Sequence, residues 1–295
     1  MSVLTRVDDL RSGRTPFVLA TVVRAERPTS AKPGDRALVL PDGTMEGFVG
    51  GTCAESTVRL QGLRLLATGE STLLRITPTA DGETVGEGLV TVGNPCLSGG
   101  SLDIFLETML PPMLVHVHGD APVARALVDI GRAIGHDVRR PPAGAVLPDD
   151  LAALVVASHG RDEEPLLTAA LRADVPYVGL VASRKRGQAV LASLAVPPAH
   201  RARVHTPAGL DIGARTPAEV ALSVYAELVT EHIGAREHTS SEPVILAAEA
   251  IDPVCGMTVA VSAAALSLTD NETSVYFCGA GCHQAYADDP DRYRR

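Results

Sequence analysis

Short apolar runs and amphipathic stretches follow one another along this chain, and their order changes near residue 112. In the first part, runs rich in valine and leucine predict β-strands, and Pro41-Asp42-Gly43 between two of them predicts a hairpin turn. Helical spacing of leucine and valine predicts a helix from Glu55 to Ala67. The predicted strands are Phe17–Val23, Ala37–Leu40, Met45–Val49, Thr72–Ile76, Leu89–Val92 and Leu102–Leu106. This pattern indicates a mixed α+β domain over residues 1–111.

Beyond residue 112, predicted strands and helices alternate regularly. The strands are Met113–His118, Ala153–Ala157, Tyr177–Val181 and Val204-His205, and the helices include Glu163–Arg172 and Arg184–Leu194. The last helix begins with a capping box, Thr216-Pro217-Ala218-Glu219, and is predicted to reach about Ile233. Alternation of this kind predicts a Rossmann-like domain with a doubly wound parallel sheet over residues 112–235.

The remaining residues predict a linker and a small third domain. Residues 236–250 are rich in Glu, Ser, Thr and Ala, which is typical of a connecting segment. Residues 251–295 contain three of the five cysteines in a compact, turn-rich stretch. The fold class is therefore α/β, with a mixed α+β N-terminal domain, a Rossmann-like domain and a small C-terminal metal-binding domain.

Charge and composition exclude several classes of protein. A formal net charge of −9 argues against nucleic-acid binding, which rests on phosphate neutralisation. The N-terminal residues have no apolar core of the kind found in signal peptides, and no apolar run approaches the roughly 20 residues of a membrane span. We therefore expect a cytoplasmic protein without a membrane span. In a reducing compartment, five unevenly placed cysteines indicate metal-binding or reactive groups rather than disulfides.

Two loops in the first part each place a cysteine beside paired glycines. The first is Gly50-Gly51-Thr52-Cys53, and the second runs from Asn94 through Cys96 to Gly99-Gly100. A cysteine that opens a helix after a glycine turn lies among anion-binding N–H groups, which favour the thiolate. The alternative is two buried, inert cysteines near tight turns.

In the Rossmann-like part, polar residues follow the predicted strands. Gly119-x-Ala121-x-x-Ala124 is a degraded dinucleotide fingerprint, and Arg139-Arg140 replaces the usual ribose-binding acid, so ordinary NAD binding is disfavoured. His159 and the pair Ser183-Arg184 each follow a strand, at the edge where open α/β sheets bind ligands. The alternatives are a loop histidine without function and a solvated start of a helix.

The C-terminal part offers soft metal ligands. Cys278 and Cys282 are four residues apart at a predicted strand-to-helix junction, and Cys255 lies upstream. With His283 as a candidate fourth ligand, this set suits zinc or copper(I). Thiols that merely pack in a small domain are the alternative.

With these motifs in view, the chain resembles the XdhC/CoxI accessory proteins, which mature molybdenum hydroxylases such as xanthine dehydrogenase and carbon monoxide dehydrogenase. Residues 251–293 resemble a YHS domain, through Asp252-Pro253-Val254-Cys255-Gly256-Met257 and Tyr276-Phe277-Cys278-x-x-x-Cys282. The XdhC/CoxI resemblance covers about residues 8–233. It rests on Gly50-Gly51-Thr52-Cys53-Ala54-Glu55, Pro95-Cys96-Leu97-Ser98-Gly99-Gly100, Tyr177-Val178-Gly179-Leu180-Val181-Ala182-Ser183-Arg184, and residues 206–219.

The resemblance implies a non-catalytic chaperone that binds the molybdenum cofactor, as molybdopterin or its cytosine dinucleotide. The protein would protect the cofactor, support its sulfuration by a partner cysteine desulfurase and insert it into an apo molybdenum hydroxylase. Cys53 would bind molybdenum or carry sulfur, and the glycine loops would hold phosphate or oxo groups. The implied cofactor-binding residues are Gly50, Gly51, Cys53, Glu55, Cys96, Gly99, Gly100, Gly119, His159, Ser183 and Arg184.

Two other functions fit parts of the sequence. The Rossmann-like half alone favours an NAD(P)-dependent oxidoreductase, although the poor glycine loop counts against it. The C-terminal cysteines alone favour a metal sensor or metal-trafficking protein, acting through a site independent of Cys53. A homo-oligomer is compatible with the sequence.

Overall fold

The computed structural model describes residues 3–80, 82–94, 100–239, 248–270 and 273–293, which form two compact units. The first unit combines Met1–Pro111 with Pro243–Arg295, and the second comprises Pro112–Glu242. Among the described residues, no helix has both the length and the apolar character that crossing a membrane requires.

A mixed β-sheet forms the centre of the first unit. Within the described residues its strands are β1 (Phe17–Glu26), β2 (Arg36–Val39), β3 (Met45–Gly47), β4 (Thr72–Thr77), β5 (Glu83–Gly86), β6 (Leu89–Gly93) and β7 (Ser101–Met109), in the spatial order β3-β2-β1-β7-β4-β6-β5. The strands pair antiparallel except for β4 and β6, which are parallel. The helices are α1 (Val3–Ser12) and α2 (Thr52–Thr68). The mixed α+β domain predicted for residues 1–111 thus matches this arrangement, with β5 as an unpredicted exposed strand.

The core of the first unit lies between this sheet and α2. Leu74 and Ile104 of the sheet and Val58 of α2 are fully buried in one apolar cluster. Burying one such side chain stabilises the fold by roughly 2 kcal/mol. Because Ala260 of the C-terminal segment belongs to the same cluster, that segment completes the core of the first unit.

The second unit is a doubly wound parallel sheet, as predicted. Its described strands are β8 (Leu114–His118), β9 (Asp137–Arg139), β10 (Leu151–Val156), β11 (Tyr177–Leu180) and β12 (Val204–His205), in the order β12-β11-β10-β8-β9 with parallel pairing throughout. The helices are α3 (Pro122–Ala133), α4 (Glu163–Arg172), α5 (Arg184–Ser193), α6 (Pro198–Arg201) and α7 (Pro217–Thr239). Neighbouring residues of β10 face opposite clusters, since Leu154 packs with Leu167 of α4 and Val155 with Leu127 of α3. Each face of the sheet is therefore covered by helices.

The predicted capping box starts α7. The Glu219 carboxylate accepts the Thr216 N–H at 2.9 Å, and the Thr216 hydroxyl accepts the Glu219 N–H at 3.3 Å. The Arg215 N–H also donates to Glu219, and these backbone bonds lower the pKa of its carboxyl group. The sequence predicts the start of α7 correctly because a capping box is a hydrogen-bond motif of four neighbouring residues.

The C-terminal segment consists of two hairpins and a helix. They are β13 (Glu249–Ile251) with β14 (Thr258–Ala260), β15 (Leu266–Asp270) with β16 (Thr273–Phe277), and α8 (Ala280–Asp288), followed by a 3₁₀ turn at Pro290–Arg292. An ion pair connects this segment to α2, since the Arg64 guanidinium lies 2.7 Å from the Glu249 carboxylate. The linker predicted over 236–250 is wrong at both ends, since α7 continues to Thr239 and β13 begins at Glu249. Residues 240–247 lie outside the described part.

Candidate functional site

The predicted glycine loop leads directly into helix α2. Gly50 has φ 141°, a backbone conformation that favours glycine, whereas Gly51 is the extended residue before the helix and faces open space. Cys53 therefore lies in the first turn of α2, where helix N–H groups lack carbonyl partners within the helix. This setting favours an anion or a thiolate.

A cavity of about 200 Å³ opens beside this turn. Its lining includes Thr29, Gly51, Cys53, Asn94 and Gly100, so the structure brings the first predicted glycine loop close to the two described ends of the second. Of the other predicted residues here, Cys96 and Gly99 lie outside the described residues. Glu55 does not line the cavity, and its carboxylate interacts electrostatically with Arg59 on the same helix.

Cys53 also belongs to a cluster of four thiols in the first unit. The Cys278 sulfur lies 3.6 Å from that of Cys255, 3.7 Å from that of Cys282 and 4.0 Å from that of Cys53. None of these four described cysteines forms a disulfide. The C-terminal cysteines were expected to form a site independent of Cys53, but the packing of the C-terminal segment on α2 places the Cys53 sulfur 4.0 Å from that of Cys278.

A buried carboxylate organises the two C-terminal cysteine loops. Asp252 is fully buried and accepts the backbone N–H groups of Val254 at 2.9 Å, Cys255 at 3.4 Å and Cys278 at 2.8 Å. The thiols of Cys255, Cys278 and Cys282 and an Asp252 oxygen all lie within 4.8 Å of one another. One carboxylate thus fixes the spacing of Cys255 and Cys278. Sequence reasoning missed Asp252, although its place in the Asp-Pro-x-Cys motif was visible.

His283, predicted as the fourth metal ligand, is outside this group of ligand atoms. Its ring contacts the Phe277 ring edge-on, with the centroids 5.3 Å apart. The reason is helical geometry, since residues next to each other in a helix such as α8 point about 100° apart. Cys282 turns towards Cys278, and its neighbour therefore turns away.

The thiols influence one another's ionisation. The hydrogen bond from Cys278 lowers the pKa of Cys255. The pKa of Cys278 is raised by its hydrogen bonds to Cys255 and Cys53 and by burial, and burial raises the pKa of Cys282 to about 12. A second thiolate beside the first is costly because like charges repel at this distance.

In the second unit, one cavity lies at the topological switch point, between the carboxyl ends of β8 and β10. It has a volume of about 430 Å³, and its lining includes His118, Gly119, Arg140 and Arg161. Burial lowers the pKa of His118, and its buried Nε2 has no hydrogen-bond partner among the described residues. Open α/β sheets bind ligands at this position. Arg140 and Arg161 are candidate partners for an anionic group of a ligand, while Asp120 and Asp162 line the same cavity and Arg161 pairs with Asp120 at 2.7 Å.

Gly119 allows the carboxyl ends of β8 and β10 to approach each other closely. Its φ is +117°, and an added Cβ would lie 2.1 Å from the Ala157 carbonyl oxygen.

We predict that Gly119→Ala lowers the free energy of unfolding by about 3 kcal/mol, because a clash adds to backbone strain. Gly135→Ala is the matched control, since Gly135 also has positive φ (+87°) but open space around it. Urea unfolding of both variants should show a loss of only about 1 kcal/mol for Gly135→Ala. Equal losses would contradict the steric argument.

A second cavity in this unit, of about 560 Å³, is lined by His159, Ser183 and Arg184 among others. The predicted ligand residues thus lie at one edge of the sheet but in two cavities, with Gly119 in the other. His159 has φ 55°, and Ser183 caps α5 by accepting the Arg186 N–H at 3.4 Å.

Glu163 holds the loop that contributes to both cavities, and sequence reasoning missed it. The side chain is 2% exposed and accepts bonds from Arg186 at 2.7 Å and from the Gly160 N–H at 2.8 Å. The Ser158 hydroxyl lies 3.3 Å from the same carboxylate. Arg186, part of the run Arg184-Lys185-Arg186, is therefore an ion-pair partner that fixes the loop.

Two known protein families match parts of this chain. Residues 10–77 match the XdhC and CoxI family, and residues 115–228 match the XdhC Rossmann domain. The chain belongs to the XdhC/CoxI family. Neither match extends over the C-terminal segment, so its resemblance to a YHS domain stays a prediction.

Individual proteins are also similar to this chain. The chain is 28% identical over 261 residues to the uncharacterized protein YqeB of Escherichia coli (strain K12), covering 78% of this chain and 46% of YqeB. The chain thus spans about half the length of this curated relative. A solved structure described as a xanthine dehydrogenase from Bacillus halodurans is 18% identical, with a TM-score of 0.40, and covers 83% of this chain and 100% of that chain.

Proposed function

We propose that this protein is a non-catalytic molybdenum-cofactor chaperone, which protects the cofactor and inserts it into an apo molybdenum hydroxylase. The observation behind the proposal is the cavity where Cys53, the glycine loop and Gly100 meet at the N-terminus of α2. Membership of the XdhC/CoxI family supports a general role in the maturation of molybdenum hydroxylases, and this cavity adds a chemical basis for the proposal.

The residues of the cavity suit one end of the cofactor. A thiolate is a soft ligand that binds transition metals, and helix N–H groups with the Thr29 hydroxyl can hold oxo or phosphate oxygens. At about 200 Å³ the cavity is below the roughly 300–1,000 Å³ of pockets that enclose a whole organic ligand. We therefore assign to it the molybdenum or phosphate end, with the pterin extending out of the cavity. When bound, the cofactor supplies the metal whose oxo ligand a cysteine desulfurase replaces by sulfur.

The second unit, taken by itself, is proposed to bind a nucleotide such as the cytosine nucleotide that the cofactor can carry. Its two cavities lie at the carboxyl ends of parallel strands and include Arg140, Arg161 and Arg184. Arginine guanidinium groups bind phosphate through paired hydrogen bonds. The partners of the proposal are the apo hydroxylase and the desulfurase.

Loss of the Cys53 thiol should abolish retention of the cofactor. We predict that Cys53→Ser protein, purified from cofactor-producing cells, contains at least tenfold less molybdenum and pterin per chain than the parent, because a serine hydroxyl is a much poorer ligand for a soft metal. Metal analysis and pterin fluorescence after oxidation measure the two contents. Thr68→Ala, at the other end of α2, is the control for substitution in this helix and should retain both. Equal contents in the parent and Cys53→Ser would contradict the role of Cys53.

A further inference from the structure

The distances from the Cys278 sulfur to the other three thiols are those of a tetrahedral metal site. Four sulfurs at about 2.3 Å from a zinc ion are roughly 3.8 Å apart, by the geometry of a tetrahedron. The distances from the Cys278 sulfur to its three neighbours are 3.6, 3.7 and 4.0 Å. Packing alone does not require four thiols to converge in this way.

The surroundings of the cluster favour thiolate ligands. Two helices, α2 and α8, begin beside it, and an added Cβ on Gly279 at the start of α8 would lie 3.0 Å from Thr52 at the start of α2. The positive ends of both helix dipoles therefore lie near the sulfurs. Met257 and Val259 are buried around the cluster and limit access of water.

Asp252 acts here as a positioning residue. Its Oδ1 accepts the Val254 and Cys255 N–H groups, and its Oδ2 accepts the Cys278 N–H. An Asp252 oxygen belongs to the group of ligand atoms within 4.8 Å of one another and Cys53 does not, although its sulfur lies 4.0 Å from that of Cys278. Cys53 is assigned as the fourth ligand because a thiolate matches the soft donors of the other three and leaves Asp252 to its backbone bonds. A set of four thiolates is complete without the carboxylate.

We propose that Cys53, Cys255, Cys278 and Cys282 bind one zinc-type divalent metal ion, in a site shared between α2 and the C-terminal segment. Binding releases to solvent the protons that the thiols hold, and no electron is transferred. Tetrahedral sites with four sulfurs select zinc or iron, and a set of four protein ligands with no open position is typical of a structural ion.

A second consequence rests on the proposed function. Cys53 lines the cofactor cavity and lies in the thiol cluster, so one sulfur serves both sites. A metal ion that takes Cys53 withholds it from the cofactor. The metal therefore acts as a competitive regulator of cofactor binding at the same thiol.

Titration of the reduced, metal-free full chain with cobalt(II) tests the metal site, because the sulfur-to-cobalt absorption band grows with the number of thiolates bound. We expect one equivalent of cobalt, displaced by one equivalent of zinc. Cys53→Ser should lose about a quarter of the band intensity and at least tenfold in metal affinity. His283→Gln, the matched variant for the ligand expected from sequence, should behave as the parent.

Several results would overturn the proposal. These are no stoichiometric cobalt binding, an unchanged spectrum in Cys53→Ser, or a loss confined to His283→Gln. Thermal unfolding with and without zinc checks that each variant is folded, and zinc should raise the Tm of the parent more than that of Cys53→Ser.

Regulation is tested separately, by molybdenum and pterin content of protein from cofactor-producing cells grown with limiting or added zinc. Added zinc should lower the content of the parent at least fivefold and leave that of Cys255→Ser unaffected, since that variant keeps Cys53 but lacks the complete metal site. If the molybdenum and pterin content of the parent did not change with zinc, the proposal that the two sites share Cys53 would be overturned. Absence of cofactor from every form would overturn the proposed function and the sharing together, while the cobalt titration still decides the metal site.

Discussion

Asp252→Ala should lower the free energy of unfolding by about 3 kcal/mol and weaken metal binding by the thiol cluster ten- to hundredfold. Three backbone N–H groups lose their acceptor at a fully buried position, and each unsatisfied donor costs about 1–3 kcal/mol. The metal affinity falls because the two cysteine loops lose the carboxylate that fixes their spacing, as happens when the groups that orient metal ligands are removed. Urea unfolding and cobalt titration measure the two effects.

Two comparisons make this test specific. Asp252→Asn keeps one acceptor oxygen, so its losses should be smaller than those of the alanine variant. Asp289→Ala, at an exposed position after α8, should change the unfolding free energy by no more than about 0.5 kcal/mol. An Asp252→Ala protein as stable as Asp289→Ala would show that the buried carboxylate does not organise the segment.

Glu163→Ala should destabilise the second unit by about 2–3 kcal/mol and loosen the loop at residues 158–162. Removing one partner of a buried ion pair costs about 3–5 kcal/mol. The expected loss is smaller because the Arg186 side chain is 34% exposed and regains some hydration. The Gly160 N–H also loses its acceptor, so its hydrogen exchange should accelerate.

The neighbouring acid supplies the control. Glu164 lies in the same turn of α4 but is exposed, and its carboxylate contacts only the Ser193 hydroxyl, at 3.3 Å, among the hydrogen bonds described for it. Glu164→Ala should therefore leave both stability and hydrogen exchange of the loop close to the parent. Glu163→Gln should retain the Gly160 bond while losing the charge pair. If Glu163→Ala and Glu164→Ala were alike in both measurements, Glu163 would have no special role.

Most elements of the fold could be predicted because their signals are local. The apolar run of β10 and the capping box at Thr216 each lie within a few neighbouring residues. β9 and β5 were missed because they carry almost no apolar signal: only Val138 of β9 is buried, between two charged residues, and β5 is exposed along its whole length. The boundary at residues 236–239 was missed because α7 continues through a polar sequence.

The site was harder to predict because its members come from distant parts of the chain. Cys53 and Cys278 are 225 residues apart, and only the packing of the C-terminal segment on α2 brings them within 4.0 Å. Choosing His283 as a ligand followed from its proximity in sequence to Cys282, whereas helix geometry directs the two side chains apart. Asp252 and Glu163 act through backbone N–H groups, which the sequence does not display.

The division of the chain has a consequence for its synthesis. Residues on both sides of the second unit build the first unit, including Ala260 in its core and Cys278 in the thiol cluster. Domains generally fold as units while the chain leaves the ribosome from its N-terminus. The parallel sheet of the second unit can therefore form while the first unit still lacks its C-terminal segment. We expect nascent chains arrested after α7 to protect the second unit from protease before the first.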